Sequence, residues 1–318
     1  MEVLMRALVL LVLSGCGLGW IDGVDDRTAG LPTSGAGPYA RLERDDVSPA
    51  LEPNVIKDRN TDLTDPQILA GGAGIRLWFT RAADPATAEI AYAEVPTLHD
   101  LPTVGPTQVV SASEPWEEGR VSAPSVIADP AGGFILYYQG GATPAIGRAH
   151  SSDGLAWERE ALPVLTDAAA PSAVIVDGAT WLFVTRPGLD GIWRAVDAGA
   201  GFVLDTAPVV APRPGDAKAF DRVSVAEPFA LADPTLESGV TRVHLWFAGV
   251  TDDPAGAVSI GYAASFDGID WPRFGGLKEM LKADATGPTV LLEDSSAVMV
   301  FSELGSSARF ELNAAAHP

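Results

Sequence analysis

Two carboxylates stand directly before a proline that opens an apolar run. Asp65 begins the stretch DPQIL at residues 65–69, and Glu227 begins EPFAL at residues 227–231. If the fold brings two such groups to one pocket, one can donate a proton while the other acts as a base or a nucleophile. The alternative for Asp65 is a structural role, in which its carboxylate accepts hydrogen bonds from nearby amides at the start of a strand. The surrounding elements decide whether the two acids meet.

The step from one residue to a proline and an apolar run recurs along the chain. The other copies are APSVI at 123–127, APSAVIV at 170–176 and GPTVLL at 287–292, and successive prolines lie 47 to 60 residues apart. A second run rich in aromatic and branched residues follows each copy, as in IRLWFTR, FILYYQGG and RVHLWFAG. Turns rich in Asp, Gly and Pro separate the paired runs, which is typical of β-hairpins.

Further runs complete each repeat. A third strand follows in most units, and two units add the matching turns SSDGLAW at 151–157 and SFDGIDW at 265–271. The pattern predicts an all-β fold over residues 41–318, a five-bladed β-propeller with four antiparallel strands per blade. Trp78, Trp181 and Trp246 share one position in the second strands, which predicts packing between blades. The last unit lacks an outer strand, and we expect residues 39–57 to supply it.

These features resemble a family of five-bladed propellers. The prolines at the strand starts, the LYYQGG second strand and the hairpins IGRAHSSDGLAW and IGYAASFDGIDW are similar to those of arabinanases, β-xylosidases, invertases, levansucrases and mannoside phosphorylases. The resemblance covers roughly residues 45–312. It implies a carbohydrate-active protein whose catalytic acids lie on inner strands at one mouth of the central channel.

The resemblance assigns roles to the two acids. Asp65 looks like the first-blade aspartate that acts as base or nucleophile, and Glu227 is the candidate general acid, with a pKa raised by burial near other acids. Family hydrolases usually carry an aspartate on the second blade and the acidic glutamate on the third. This chain has Ala123 and Ala170 in those positions, and its glutamate lies one blade later.

Other polar residues are candidates for binding a substrate. Second strands should end at the same mouth at which first strands begin, and the candidates near it are Arg81, Gln139, Arg186, Asp221, Arg222 and Glu303. Arg81, Arg120, Arg186 and Arg222 could also form the phosphate pocket that a phosphorylase needs. The histidines and the cysteine are not paired at metal-binding spacings, so we predict no metal site, and no cofactor motif is present.

The N-terminal residues predict export. A positive start, a short apolar core and the sequence LSGC place Cys16 as in the lipobox of bacterial lipoproteins, which predicts a signal peptide at residues 1–15 and a lipid on Cys16. Residues 16–40 are rich in Gly, Pro, Ser and Thr and read as a flexible tether. We therefore expect an envelope protein, held on the outer membrane if the host has one, because Gly17 rather than Asp follows the cysteine.

Charge restricts the partners. With 42 acidic against 21 basic residues the formal net charge is −21, which disfavours binding to nucleic acid. Three functions remain open: a glycosidase or glycoside phosphorylase, a non-catalytic propeller that binds a glycan or another ligand at the same mouth, and an envelope scaffold that binds proteins.

Overall fold

The structure is a computed structural model. It describes residues 39–42, 54–56, 58, 60–71, 74–98, 104–233, 241–252, 258–274, 279–282, 284–292, 296–305 and 308–317. Cys16, the signal peptide and nearly all of the tether lie outside these residues, so the lipoprotein features remain predictions. Within the described residues, no helix is both long enough and apolar enough to cross a membrane.

Nearly all regular structure in the described residues is β. In chain order the strands are β1 (Ala40–Arg41), β2 (Asn54–Ile56), β3 (Asp62–Gly71), β4 (Gly74–Ala82), β5 (Glu89–Val95), β6 (Val104–Val110), β7 (Val121–Ala128), β8 (Phe134–Gly140), β9 (Ala145–Ser151), β10 (Glu158–Arg159), β11 (Leu165–Thr166), β12 (Ala169–Val176), β13 (Ala179–Arg186), β14 (Leu189–Asp197), β15 (Val203–Leu204), β16 (Ser224–Asp233), β17 (Arg242–Val250), β18 (Val258–Ser265), β19 (Leu281–Lys282), β20 (Ala285–Leu292), β21 (Ala297–Leu304) and β22 (Phe310–His317). Two single-turn 3₁₀ helices, Pro85–Thr87 and Pro115–Glu117, lie in connecting loops.

The strands form five antiparallel sheets, which are the blades of a propeller. Blades 1, 3 and 4 contain β3–β6, β12–β15 and β16–β19 in sequence order. In blade 2 the short strands β10 and β11 share the outer position beside β9. The first strands β3, β7, β12, β16 and β20 contact one another in succession, and β20 contacts β3, so the ring is closed around a central channel. The predicted five-bladed propeller is confirmed.

Blade 5 is completed by the N-terminal segment, as the sequence predicts. Ala40 and Arg41 of β1 pair with Ala316 and Ala315 of β22, and β2 pairs with the other half of the same strand. The outer edge of the last blade therefore comes from the start of the chain. This arrangement ties the first blade to the last, because the chain passes directly from β2 into blade 1.

The core consists of five apolar clusters of described residues, one between each pair of neighbouring blades. Trp78 packs between blades 1 and 2, and Trp246 packs between blades 4 and 5. Trp181 is partly buried against the cluster between blades 3 and 4. The predicted role of these three tryptophans in packing between blades is thus confirmed.

Candidate functional site

The five residues before the prolines share an uncommon backbone conformation. Asp65, Ala123, Ala170, Glu227 and Gly287 have φ angles of +50°, +48°, +48°, +52° and +57°. Residues other than glycine rarely adopt positive φ, because Cβ then approaches the backbone. In each blade the ladder between the first and second strands shifts register at this point, which marks a β-bulge. We call these five residues and the prolines that follow them the slot ring.

The slot ring surrounds a cavity at the centre of the propeller. All five residues and all five prolines line it, together with Gln67, Ser172 and Phe229. Its volume of about 30 Å³ corresponds to roughly one water molecule. Asp65 and Glu227 are the ionisable side chains among the described residues that line this cavity. The sequence-predicted pair is therefore brought together in the lining of one cavity at the centre of the ring.

Asp65 is held by two hydroxyl groups. Thr64 Oγ1 and Thr80 Oγ1 each donate to Asp65 Oδ2 over 2.9 Å, and Thr80 Oγ1 also accepts the amide N–H of Ala123 at 2.8 Å. The other oxygen, Oδ1, has no partner among the described residues. Burial raises the pKa of Asp65, while the two hydroxyl bonds oppose that increase by stabilising the carboxylate.

Glu227 has a weaker set of partners. Its Oε2 accepts the amide N–H of Gly287 at 2.7 Å, and Oε1 has no partner within the described part of the chain. Burial is the main cause that raises the pKa of Glu227 to about 7, the nearby charge of Asp65 adds to the increase, and the Gly287 N–H opposes it. A Cβ placed on Gly287 would lie 3.3 Å from the Cα of Asp65. Gly287 therefore lies between the two acids.

The bonding of the two acids sets the order in which they ionise. Two hydroxyl donors favour the charged form of Asp65, whereas Glu227 receives one amide donor and also faces the charge of Asp65. Asp65 is thus the group that ionises first, and Glu227 is the group that retains a proton near neutral pH. The acid and base roles that the resemblance implies for the two residues stay predictions.

Glu227 also has a structural role that sequence reasoning missed. In blades 1 and 2, the second strand carries a polar side chain close to the residue that precedes the proline. This side chain accepts the backbone N–H of the equivalent residue in the next blade. Thr80 does so for Ala123, and Gln139 Oε1 does so for Ala170 at 3.0 Å. Blade 4 has the apolar Ala248 at this position. The carboxylate of Glu227 accepts the N–H of Gly287, in the next blade, instead. Aligning the repeats by their second strands would have exposed both Thr80 and this exception.

The remaining candidate residues lie outside the cavity lining. Most of them are held by charged partners: Arg81 by Glu89 at 2.8 Å, Arg186 by Asp167 at 2.6 Å, Arg222 by Asp252 at 2.8 Å, and Glu303 by Arg41 at 2.6 Å. Asp221 is fully buried between Arg213 and Arg273, at 2.8 and 2.6 Å. Of the six candidates, Gln139 reaches the slot ring, through its bond to Ala170. A substrate-binding role for these residues stays a prediction.

The pair has no third acid at the cavity within the described residues. Asp62, one residue that could supply it, is bound to Arg309 at 2.9 Å and to the amide of Phe310 at 3.0 Å. Among the described residues, no group of three or more His, Cys, Asp or Glu side chains is arranged to hold a metal ion.

The fold is similar to solved glycoside hydrolase propellers. One structure represents the GH130 family of mannoside phosphorylases, a family that contains glycoside hydrolases that target β-1,2-mannosidic linkages in Candida mannan. It superposes with a TM-score of 0.66 at 11% identity, over 89% of this chain and 94% of that one. A putative glycoside hydrolase from Bacteroides ovatus gives 0.63 at 15% identity over 88% and 96%. A thermostable family-43 glycoside hydrolase gives 0.60 at 16% identity over 80% and 89%.

The likeness to these proteins is found in the structure and not in the amino-acid sequence. No family model matches the chain, and no curated protein sequence matches it. At these low identities the structural likeness establishes the five-bladed fold, whereas function has to be argued from the site.

Proposed function

We propose that this protein is a carbohydrate-active propeller that hydrolyses a glycosidic bond at the mouth of its channel. The observation that carries the proposal is the pairing of Asp65 with Glu227 across Gly287, with the pKa of Glu227 raised to about 7. A carboxylic acid that keeps its proton near neutral pH beside a carboxylate is the combination that glycosidases use.

The two acids divide the reaction between them. Protonated Glu227 donates its proton to the oxygen of the departing sugar or aglycone as the bond from that oxygen to the anomeric carbon breaks. Asp65, as the carboxylate, either removes a proton from the water that attacks the anomeric carbon or attacks that carbon itself. In the second route the glycosyl ester on Asp65 is then hydrolysed by water, from which the deprotonated Glu227 removes a proton. Asp65 Oδ1 and Glu227 Oε1, which have no hydrogen-bond partner among the described residues, are the atoms available for these steps. The separation of the carboxyl groups in the complex with substrate would decide between the two routes.

Hydrolysis is favoured over phosphorolysis by charge. A phosphate nucleophile needs cationic groups to offset the two acids. Of the four candidate arginines, three are already paired with a carboxylate, and Arg120 donates to the carbonyl of Gly141 at 2.8 and 3.0 Å. None of the four is among the described residues that line the cavity. Water and an uncharged glycoside fit this environment better than phosphate does.

A second candidate is a propeller that binds a glycan without cleaving it. It is favoured by the size of the cavity, since a space of about 30 Å³ is too small for a sugar ring to reach both acids without some widening of the mouth. It is also favoured by Ala123 and Ala170, which stand where related hydrolases carry further acids.

The predicted lipid on Cys16 belongs to the same proposal. Ala40 pairs with Ala316, close to the end of β22 that lies away from the slot ring. A tether that joined Cys16 to this end of the propeller would leave the channel mouth facing away from the membrane. That orientation is suited to an enzyme or a receptor that acts on external polysaccharide.

The experiment is a screen of nitrophenyl glycosides and neutral oligosaccharides, with and without phosphate. We expect turnover that does not need phosphate and that falls by about 100-fold or more in Asp65→Asn and Glu227→Gln. Asp190→Asn is the matched control and should keep full activity. It changes an exposed carboxylate at the end of blade 3 that carries Ala170 of the slot ring. Turnover that both variants retain would overturn the assignment. Saccharide-dependent thermal stabilisation without turnover would favour the binding function.

A further inference from the structure

A second concave site lies on blade 2, away from the slot ring. It occupies about 530 Å³ and is lined by Asp129, Phe134, His150, Ser152, Trp157 and Glu158. The strand pairing places the 129–133 hairpin at the end of blade 2 opposite its slot residue, because Ala128 pairs with Phe134 while Val121 pairs with Gly140. We call it the blade-2 groove. Its volume is in the range of small-molecule sites.

The walls of the groove combine an aromatic surface with hydrogen-bonding groups. Trp157 and Phe134 are partly buried and pack on the cluster between blades 1 and 2. His150 keeps 48% of its side chain exposed, and its Nδ1 lies 3.5 Å from Asp129 Oδ2. An aromatic face beside a carboxylate and an imidazole matches a pyranose, which presents apolar C–H groups on its faces and hydroxyl groups around its edge.

The tryptophan of this groove differs from its counterpart in blade 4. The two turns share the SxDGxxW pattern, and in both of them backbone N–H groups donate to Ser Oγ and to Asp Oδ1. In blade 4, Trp271 Nε1 donates to the carbonyl of Gly268 at 3.2 Å. In blade 2, Trp157 Nε1 is buried and has no acceptor among the described residues. The carbonyl of Gly154, the counterpart of Gly268, instead accepts Trp78 Nε1 at 2.8 Å. Because its N–H is buried, Trp157 offers the groove apolar surface rather than a hydrogen-bond donor.

Charge limits the ligand. Asp129 and Glu158 line the groove, and Glu160 lies 3.9 Å from His150 Nε2 and is paired with Arg148. A uronic acid or a sulfated sugar would meet these carboxylates and be repelled. From the aromatic surface, the hydrogen-bonding groups of His150 and Asp129 and the acidic edge together, we propose that the blade-2 groove binds one unit of a neutral polysaccharide, independently of the acids in the channel.

Affinity electrophoresis of the full-length protein tests this proposal. The native gels would contain mannan, debranched arabinan, hydroxyethyl cellulose or, as the anionic comparison, polygalacturonate. We expect retardation in at least one neutral gel and none in polygalacturonate. Trp157→Ala and His150→Ala should weaken binding about tenfold or more, whereas Trp271→Ala is the matched control in blade 4 and should be retarded like the unchanged protein.

The outcomes separate this site from the channel. Asp65→Asn should keep its retardation, even if it loses all turnover. The proposal is overturned if the unchanged protein is not retarded in any neutral gel, if both groove variants are retarded normally, or if Asp65→Asn abolishes retardation. Melting curves establish that each variant is folded, and His150→Ala is the safer of the two groove variants because His150 is half exposed.

Discussion

Replacing Glu227 with glutamine should change how the stability of the protein depends on pH. The pKa of Glu227 is 4.5 when unperturbed and about 7 in the fold, so the folded state binds more protons than the unfolded state between these values. Stability from this group is therefore fully present below pH 4.5 and is lost as the pH rises towards 7. The difference corresponds to about 3 kcal/mol, at about 1.4 kcal/mol for each pKa unit.

Glutamine keeps the acceptor for the Gly287 N–H and cannot ionise. We therefore expect Glu227→Gln to have nearly the stability of the unchanged protein at pH 4, and to exceed it by about 3 kcal/mol at pH 8. Urea unfolding at half-unit steps from pH 4 to 8 measures the difference between the two proteins. Subtracting the two curves removes the contribution of carboxylates that do not interact with Glu227, such as Asp153 and Asp267, whose pKa values are lowered by backbone N–H bonds.

The control is Asp190→Asn, whose stability should run parallel to that of the unchanged protein across the series. A difference in stability between Glu227→Gln and the unchanged protein that stays constant with pH would contradict the raised pKa of Glu227. It would mean that Glu227 titrates normally and that burial does not favour its protonated form.

Three further predictions concern the structure around the pair. Thr80→Val should cost about 1–3 kcal/mol in a denaturant titration, because it removes the acceptor of the Ala123 N–H and a donor to Asp65; Thr80→Ser should recover most of the loss, and equal losses in both variants would contradict this explanation. Gly287→Ala should destabilise the protein by about 1–2 kcal/mol, because a Cβ at positive φ would press on Asp65; an unchanged denaturation midpoint would contradict it. Deleting residues 39–57 should lower the melting temperature of the whole propeller, because blade 5 loses its outer strand; an unchanged melting temperature would contradict that role.

Much of the fold is predictable because the repeat is local. Each blade has its own residue–proline step and its own aromatic second strand, so each blade can be recognised from a short stretch of sequence. The missing strand of blade 5 follows from counting the strands in each repeat. The same alignment predicts that Asp65 and Glu227 occupy equivalent positions on the ring. Their meeting follows from the architecture, since the first strands of the blades surround one channel.

The bonding at the site depends on contacts that no local pattern reports. Arg41 meets Glu303, and Asp62 meets Arg309, across almost the full length of the chain. Such pairs form only when the first and last blades close, so the charged residues near strand ends look free in the sequence. The role of Glu227 as acceptor for the Gly287 N–H likewise depends on Ala248, which has no polar side chain to accept it.

Direct titration of Glu227 tests most closely the claim that the two acids form one acid–base pair. The ¹³C chemical shifts of labelled glutamate carboxyl groups, followed with pH and assigned with Glu227→Gln, give its pKa in the folded protein. We expect a pKa of about 7 for Glu227, and a lower pKa in Asp65→Asn, because the charge of Asp65 is removed. A pKa near 4.5, or one that does not respond to Asp65→Asn, would contradict it.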